Sequence, residues 1–300
     1  MSNGLASTDA IGHGMISKRM GLQMGKIVSS TLKVLPVAVQ SRLIGMRRAL
    51  RGTGQGAEPA GEELGTETEK FRAGVPSLPG LLGHLRENEF SPSTILDIGA
   101  NAGEWSRVAA SIFAASRILM FDGDPENEAV LHNTVREIGA RSSYILCLLG
   151  AEKKDAVTFY RPEAGTTGSS VLPEMTSYDK EAIKLKMDTL DSLTENAGLG
   201  TPLLMKLDVQ GFELEILKGG KKALAAAEVV IMEASLLPYN EGAPLFADVV
   251  AFMHQEGFAV YDFCGQNRRQ TDSALFQSDV VFARRESSLR ARRKFWLKEP

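Results

Sequence analysis

The sequence predicts an α/β fold: a mostly parallel sheet with helices on both faces and an antiparallel pair of strands at the C-terminal edge. Short apolar runs alternate with helical segments over most of the chain after residue 90. Such alternation requires crossover connections, which place helices on both faces of a parallel sheet. The last two apolar runs, near residues 260 and 280, are close enough in sequence to pair antiparallel.

The first predicted strand, Thr94–Ile98, leads into a turn with glycines at Gly99 and Gly103. The first glycine permits a tight turn, and the second permits close packing of the next helix. The middle glycine of a pyrophosphate-binding G-x-G-x-x-G is missing, and Asn101 stands in the loop. Asp97 adds an anion, which disfavours phosphates and favours a cationic ligand. The turn therefore favours S-adenosylmethionine over NAD or ATP, with a generic strand–turn–helix corner as the alternative.

A second strand–helix unit supports the nucleotide-type pocket. A helix over 104–115 is followed by a strand over 117–121 that ends at Asp122. Asp122 lies 19 residues after Gly103 (122 − 103), near the ~20 expected for a carboxylate that binds ribose hydroxyls. We therefore expect Asp122 to contact the cofactor, and the next helix to run over 125–139.

The remaining elements continue the alternation. We predict helices at 212–217 and 245–256, and strands at 144–149, 156–160, 203–209, 229–232, 259–263 and 280–283. The catalytic domain is expected to span 71–285, before a basic C-terminal tail over 286–300.

Residues 1–70 differ from this domain. The chain has no acidic residue from Ala10 to Ala57, and basic and apolar residues mix over 18–51. This pattern indicates an amphipathic helix on an anionic membrane surface; a poorly ordered extension, helices packed on the enzyme domain and an organellar transit peptide are the alternatives. The Gly- and Glu-rich residues 52–70 are typical of a linker.

Composition excludes several function classes. The 300 residues carry a formal charge of −3, which gives no reason to expect a nucleic-acid partner. Two isolated cysteines, Cys147 and Cys264, make neither a disulfide framework nor a zinc site. No apolar run approaches the ~18 residues of a spanning helix, and no secretory segment is visible. A cytoplasmic location is expected, with peripheral membrane contact through 18–51 as the alternative.

Four acids stand at predicted strand ends: Asp97, Asp122, Asp208 and Glu233. Ligands of an open parallel sheet bind outside the carboxyl ends of its strands. Half-buried carboxylates are costly unless they are paired. We therefore expect these acids to share cations, which would be the cofactor, Lys206 or a metal, with Asp208 and Glu233 facing the acceptor.

Five segments resemble the FkbM family of S-adenosylmethionine-dependent methyltransferases. They are D-I-G-A-N-A-G (97–103), F-D-G-D-P (121–125), M-K-L-D-V-Q-G-F-E-L-E-I-L-K-G (205–219), V-V-I-M-E (229–233) and G-F-A-V-Y-D (257–262). The third segment is the most specific to the family, and the resemblance covers about residues 92–283. It implies a class I methyltransferase fold, which is Rossmann-like, and O-methylation of hydroxyls on sugars or natural products.

Two departures from the family pattern fall near the expected cofactor site. The family has Glu-Pro where this chain has Asp122-Gly123, so the acid is kept but is shorter. At the third strand end the family often has Ala-Leu, whereas this chain has Leu148-Leu149. The ribose and adenine contacts are the ones these departures affect.

The expected chemistry is the removal of a proton from an acceptor hydroxyl during methyl transfer. Asp208 is the candidate base, with Lys206 on the same face of the strand; a structural ion pair is the alternative. Asp208 and Glu233 together are a candidate Mg²⁺ site. Glu213, near the start of the helix 212–217, is expected to cap that helix, with a substrate contact as the alternative. The Gly- and Ser-rich loop 163–172 is expected to be either a lid over the acceptor or a plain connection.

The leading functional hypothesis is a small-molecule or carbohydrate O-methyltransferase. RNA 2′-O-methylation is an alternative, because a K-x-D pair on the fourth core strand is similar to the catalytic pairs of such enzymes. A membrane-attached binding module with a degenerate pocket is a second alternative.

Overall fold

The computed structural model describes residues 75–162, 168–176 and 179–291. Two predictions therefore lie outside the described residues. They are the basic segment 18–51 with its linker, and all but the start of the C-terminal tail. The membrane contact and the cytoplasmic location both stay predictions. Within the described ranges, no helix is both long and apolar enough to cross a bilayer.

The strands, in chain order, alternate with helices. They are β1 Thr94–Ile98, β2 Arg117–Asp122, β3 Ser142–Leu146, β4 Leu148–Leu149, β5 Lys154–Pro162, β6 Lys180–Asp188, β7 Leu203–Leu207, β8 Ala227–Ser235, β9 Phe258–Arg268 and β10 Leu275–Arg284. The α-helices are α1 Leu78–Glu87, α2 Glu104–Ile112, α3 Glu128–Ile138, α4 Leu190–Thr194, α5 Glu213–Lys218, α6 Lys221–Ala226, α7 Phe246–Gln255 and α8 Ser288–Ala291. A 3₁₀ turn, Pro125–Asn127, precedes α3.

The main sheet has seven strands in the order β3-β2-β1-β7-β8-β10-β9. The first five of these pair in parallel, whereas β10 is antiparallel to both β8 and β9. This arrangement confirms the predicted class I methyltransferase fold with its antiparallel C-terminal edge. The order reverses at β1, so the ends of β1 and β7 form the crevice in which such sheets bind ligands.

Both faces of the main sheet are covered, which explains the nearly continuous apolar strands. One cluster packs Leu96 and Phe121 against α5, α6 and α7. The other packs Ile95 and Met120 against α1, α2 and α3. All five residues of β1 are buried. Because burying one such side chain contributes roughly 1.5–3 kcal/mol, these central strands hold the site rigidly.

A second sheet of three strands, in the order β4-β6-β5, corrects one prediction and contains one strand that was not predicted. The single strand expected over 144–149 is wrong, because it breaks at Cys147 and its last two residues join β6. Strand β6 was not predicted, although apolar residues at 183, 185 and 187 alternate with lysines in its sequence K-E-A-I-K-L-K-M-D. Its Met187 is buried with Leu148 and Phe159, and Ile183 and Leu185 pack against this cluster.

Helix α1 precedes the first strand and was not predicted. The Ser77 hydroxyl caps it by accepting the amide of Gly80 at 3.3 Å. The helix buries three leucines on α2 and the sheet, namely Leu81, Leu82 and Leu85. The fold that supports the glycine turn therefore extends back to at least residue 77.

Candidate active site

The glycine turn after β1 has left-handed backbone at three positions. The φ angles of Gly99, Asn101 and Gly103 are +80°, +48° and +73°. A Cβ built on Gly99 would lie 2.0 Å from the carbonyl oxygen of Asp208, and one on Gly103 would lie 2.6 Å from Thr134 Cγ2. Because real atoms never approach so closely, both glycines are required. The turn is thereby held between the end of β7 and α3.

Asp122, at the end of β2, ties this turn to the next loop. Its Oδ2 accepts the amide of Asn101 at 2.6 Å. Its Oδ1 accepts the amide of Asp124 at 2.8 Å and the Asn127 side-chain Nδ2 at 3.0 Å. Burial raises the pKa of Asp122, and these hydrogen bonds act in the opposite direction. The glycine turn and the loop 122–127 are named the cofactor half below.

Asp97 does not lie at the strand end, because Ile98 completes β1. Its side chain is fully buried, and its Oδ2 accepts the Ser106 hydroxyl of α2 at 2.6 Å. Its Oδ1 has no hydrogen-bond partner. Burial raises the pKa of this carboxyl, although Lys206 and Ser106 act to lower it. Asp97 is thus an interior acid behind the turn, with one unsatisfied oxygen.

The predicted Lys206–Asp208 pair forms at the end of β7. Lys206 Nζ lies 3.0 Å from Asp208 Oδ2. The lysine is buried, whereas 38% of the Asp208 side chain is exposed. Burial acts to lower the pKa of Lys206, but Asp208 and Asp97 outweigh it and raise the pKa. The ammonium therefore stays charged beside a carboxylate that an acceptor can reach.

Gln210, which was not predicted as a site residue, joins the two acids of the acceptor region. Its Nε2 lies 2.9 Å from Asp208 Oδ1 and 2.8 Å from Glu233 Oε2. Gln277 donates to the same oxygen of Glu233 at 3.0 Å. The φ of Gln210 is +58°, which is uncommon for a residue with a side chain. Its place within the family motif was the signal that could have identified it.

The predicted Mg²⁺ site at Asp208 and Glu233 is not supported. An amide donor, Gln210 Nε2, lies between the two carboxylates where a cation would have to bind. In addition, the described parts of the chain contain no group of three metal-ligating side chains.

Three further acids surround Asp208 in the interior: Glu213, Glu233 and Asp279. Asp279 of β10 lies opposite Glu233 of β8 in the register of the sheet, and it was not predicted as a site residue. Burial, with repulsion from Asp208, raises the pKa of Glu213 to about 7 and that of Asp279 to about 6. The same causes raise the pKa of Glu233 well above its ordinary value. Lys206, Asp208, Gln210, Glu213, Glu233 and Asp279 are named the acceptor half below.

Glu213 does not act as the predicted helix cap. It is the first residue of α5, and its Oε1 accepts the amides of Val209 at 3.0 Å and Gly211 at 3.2 Å. Both amides belong to the loop before the helix. Glu213 therefore fixes the loop that carries Asp208 and Gln210.

The loop 163–172 is described only from residue 168, so most of the predicted lid lies outside the described residues. The described end is fastened. Ser170 pairs through its backbone with Tyr160, and its hydroxyl donates to the carbonyl oxygen of Gln210 at 3.0 Å. A buried ion pair between Lys180 and Glu174 (2.5 Å) holds the segment that follows.

The fold and this site define a class I methyltransferase. The chain belongs to the methyltransferase FkbM domain family, which matches residues 97–260, more than half of its length. S-adenosylmethionine is the expected cofactor of this family. The residues present fit such a ligand. Gly99 and Gly103 leave both ends of the turn without a side chain, and the unsatisfied Asp97 Oδ1 lies behind it.

Solved structures similar to the chain include other methyltransferases. A precorrin methyltransferase from Geobacter metallireducens has 14% identity and a TM-score of 0.38, covering 75% of this chain and 93% of its own. Magnesium protoporphyrin IX methyltransferase from Synechocystis, with bound SAM, has 12% identity and a TM-score of 0.40. The match covers 80% of this chain and 91% of the Synechocystis chain. An O-methyltransferase family protein from Burkholderia thailandensis has 10% identity and a TM-score of 0.40. The match covers 69% of this chain and 55% of the Burkholderia chain. No curated protein sequence matches significantly.

Proposed function

We propose that this methyltransferase transfers the methyl group of S-adenosylmethionine to a hydroxyl of a sugar, a glycan or a natural-product small molecule. The observation that carries the proposal is the Lys206–Asp208 pair. Its carboxylate is accessible, and the backbone at Asp208 touches the glycine turn. A base beside the cofactor turn is what a weakly nucleophilic hydroxyl requires.

The cofactor half would hold S-adenosylmethionine through the glycine turn and the carboxylate of Asp122. When bound, this cofactor supplies an electrophilic methyl group on a sulfonium. Asp97 places a negative charge behind the turn, which favours a cationic ligand over a phosphate. The family's usual cofactor is therefore the one that the charges of this site favour.

The acceptor half would orient the hydroxyl and take its proton. Asp208 Oδ1 is fixed by Gln210, and Oδ2 by Lys206. Both bonds restrict the carboxylate to one orientation, and 38% of the Asp208 side chain is exposed to an acceptor. Orientation of the two reactants can supply most of the acceleration of such a displacement.

The charges near Asp208 favour a neutral acceptor over RNA. Glu213, Glu233 and Asp279 lie around it, and Lys206 is already paired. Nucleic-acid sites instead present basic residues to the phosphates. This supports a sugar or alcohol over the RNA 2′-hydroxyl.

The test begins with calorimetric titration of the full chain with S-adenosylhomocysteine, followed by transfer of labelled methyl groups to panels of sugars, glycans and RNA oligonucleotides. Asp208→Asn should keep the binding affinity and lower turnover by about 10²–10⁴-fold, since it removes the base. The matched control is Glu215→Gln, which removes a carboxylate from an exposed lysine pair on α5 and should leave turnover unchanged. Near-normal turnover of Asp208→Asn would exclude it as the base. Labelling of RNA alone, surviving moderate salt, would replace the acceptor class proposed here.

A further inference from the structure

The loop that carries Asp122 holds three carboxylates within five residues, D-G-D-P-E, and no basic residue. The Asp124 side chain is only 10% exposed. A carboxylate so far from water is costly unless a cation or several donors compensate it. The loop therefore depends on a positive charge from elsewhere in the chain.

Arg161 in the second sheet supplies that charge. Its Nη1 lies 2.8 Å from Glu126 Oε1 and 3.5 Å from Asp124 Oδ1. Its Nη2 pairs with Glu181 of β6, whose side chain is 61% exposed. Only 16% of the arginine side chain is exposed. The contact thus joins β5, outside the main sheet, to the cofactor half.

A short series of hydrogen bonds continues from Arg161 to the glycine turn. Asp124 Oδ1 accepts the amide of Glu126 at 3.0 Å, and the Asp124 amide donates to Asp122 Oδ1 at 2.8 Å. Asp122 Oδ2 in turn accepts the amide of Asn101 at 2.6 Å. The orientation of Asp122 therefore depends on the position of Asp124, which Arg161 holds.

Electrostatic repulsion is a second reason why the loop 122–127 depends on Arg161. Burial is the largest cause of the raised pKa of Asp122; the hydrogen bond from the Asp124 amide lowers this pKa, and repulsion from the Asp124 carboxylate raises it. The guanidinium offsets that repulsion, because it places a positive charge on the far side of Asp124. Without it, two neighbouring carboxylates would repel one another, and the loop would open toward water.

We propose that Arg161 is a positioning residue for the cofactor, which fixes the loop 122–127 so that Asp122 faces the ribose hydroxyls. This inference rests on the proposed function, since it assumes that the cofactor half binds S-adenosylmethionine. It concerns a residue that lies outside every motif of the family resemblance. Its partner Glu181 belongs to a strand that was not predicted from the sequence.

The test is calorimetric titration of S-adenosylhomocysteine into the full chain and three variants, well below their melting temperatures. Arg161→Gln should weaken binding about tenfold, and Arg161→Lys should restore part of the loss, since a lysine keeps the charge but not the fork. Glu181→Gln is the matched control. It removes an ion pair of the same arginine but leaves its contacts with the loop, so affinity should change less than about twofold.

Each outcome decides a different claim. Absence of binding by the wild-type chain would refute the proposed function and this inference with it. Wild-type binding together with a change below twofold in Arg161→Gln would refute the role of Arg161 alone. Equal weakening by Glu181→Gln would show a general effect of the second sheet and would also refute it. If Arg161→Gln does not fold, Arg161→Lys against Glu181→Gln gives the same comparison.

Discussion

The two halves of the candidate site are stabilised in different ways. The cofactor half is built from backbone: left-handed glycines, and amides that donate to Asp122. The acceptor half is built from side chains, with Lys206 and the carboxamide of Gln210 placed among buried acids. A site built from backbone depends on the close approach of main-chain atoms, whereas a site built from side chains depends on the charges of those side chains. Substitutions in the two halves should therefore differ in how their effects vary with pH.

The largest effect is expected at the glycine turn. Gly99→Ala adds a Cβ that would meet the Asp208 carbonyl oxygen at 2.0 Å. Because that atom is backbone, relief requires β1 and β7 to separate. The free energy of unfolding should fall by about 3 kcal/mol or more, and cofactor affinity should be lost. Chemical denaturation and titration with S-adenosylhomocysteine measure the two effects.

Gly198→Ala is the control for backbone strain. Gly198 also has a positive φ, +58°, but a Cβ there would meet nothing within 4 Å. Its cost should be about 1–2 kcal/mol, with no change in affinity. Equal costs at the two glycines would show that the close approach to Asp208 is unimportant.

The second effect is a pH dependence of stability that arises in the acceptor half. The pKa of Glu213 is raised from 4.5 to about 7. Protonated Glu213 stabilises the folded state, because the folded state binds the proton more tightly than the unfolded state does. This contribution to the free energy of unfolding is fully present below pH 4.5 and is lost as the pH rises through about 7. Glu213→Gln should remove up to about 3 kcal/mol of this loss, since the amide oxygen can still accept the amides of Val209 and Gly211. Urea unfolding at a series of pH values measures it.

Asp279 should add to this pH dependence in the same direction. Its pKa is raised to about 6, so Asp279→Asn should flatten the curve mainly between pH 4 and 6. A wild-type stability that does not fall between pH 4.5 and 7 would contradict the interpretation of both acids.

A third, smaller effect concerns the two positions that depart from the family pattern, Gly123 and Leu148. A Cβ on Gly123 would lie 2.3 Å from Leu148 Cδ2. The large residue at 148 thus fills the space that the glycine leaves. Gly123→Ala should lower the free energy of unfolding by about 1–2 kcal/mol in the wild-type background. The loss should be smaller in the Leu148→Ala background, because the shorter side chain makes room for the added methyl. A double-mutant cycle by thermal unfolding measures the coupling, and strictly additive costs would show that the pair does not interact.

The smallest effect compares one left-handed, non-glycine residue from each half. Asn101 is exposed and acts through its backbone amide, whereas the side chain of Gln210 bridges two acids. Asn101→Gly should change the free energy of unfolding by less than about 0.5 kcal/mol. Gln210→Gly should lower it by about 1 kcal/mol, because lost hydrogen bonds to charged groups exceed the relieved strain. Equal values in denaturant titrations would mean that the Gln210 bridge contributes nothing.

The sequence was most informative where function depends on local spacing. The glycine turn, Asp122 at the second strand end and the Lys206–Asp208 pair all follow from residues close together in the chain. Their mutual placement was predictable because parallel strands end at one edge of the sheet. The strand order then needed only the alternation of strands and helices.

What could not be predicted depends on contacts distant in sequence. Asp279 reaches the site only because β10 pairs antiparallel with β8, and Arg161 only because β5 lies beside the loop after β2. Strand β6 is an exception, because the apolar residues at 183, 185 and 187 alternate with lysines, which is a local signal that could have predicted it. The predicted Mg²⁺ site is not supported, and the position of the Gln210 side chain was not visible in the sequence. Two acids at neighbouring strand ends looked like ligands until the carboxamide of Gln210 was located between them.

The contact between Gly99 and the carbonyl of Asp208 has a consequence for redesign. The proposed donor pocket and the proposed base meet at one point of the main chain, with no intervening side chain that could be resized. Altering acceptor preference by shifting the end of β7 would therefore disturb the donor pocket as well. Variation in substrate choice would have to come from more peripheral loops, such as the one between β8 and α7.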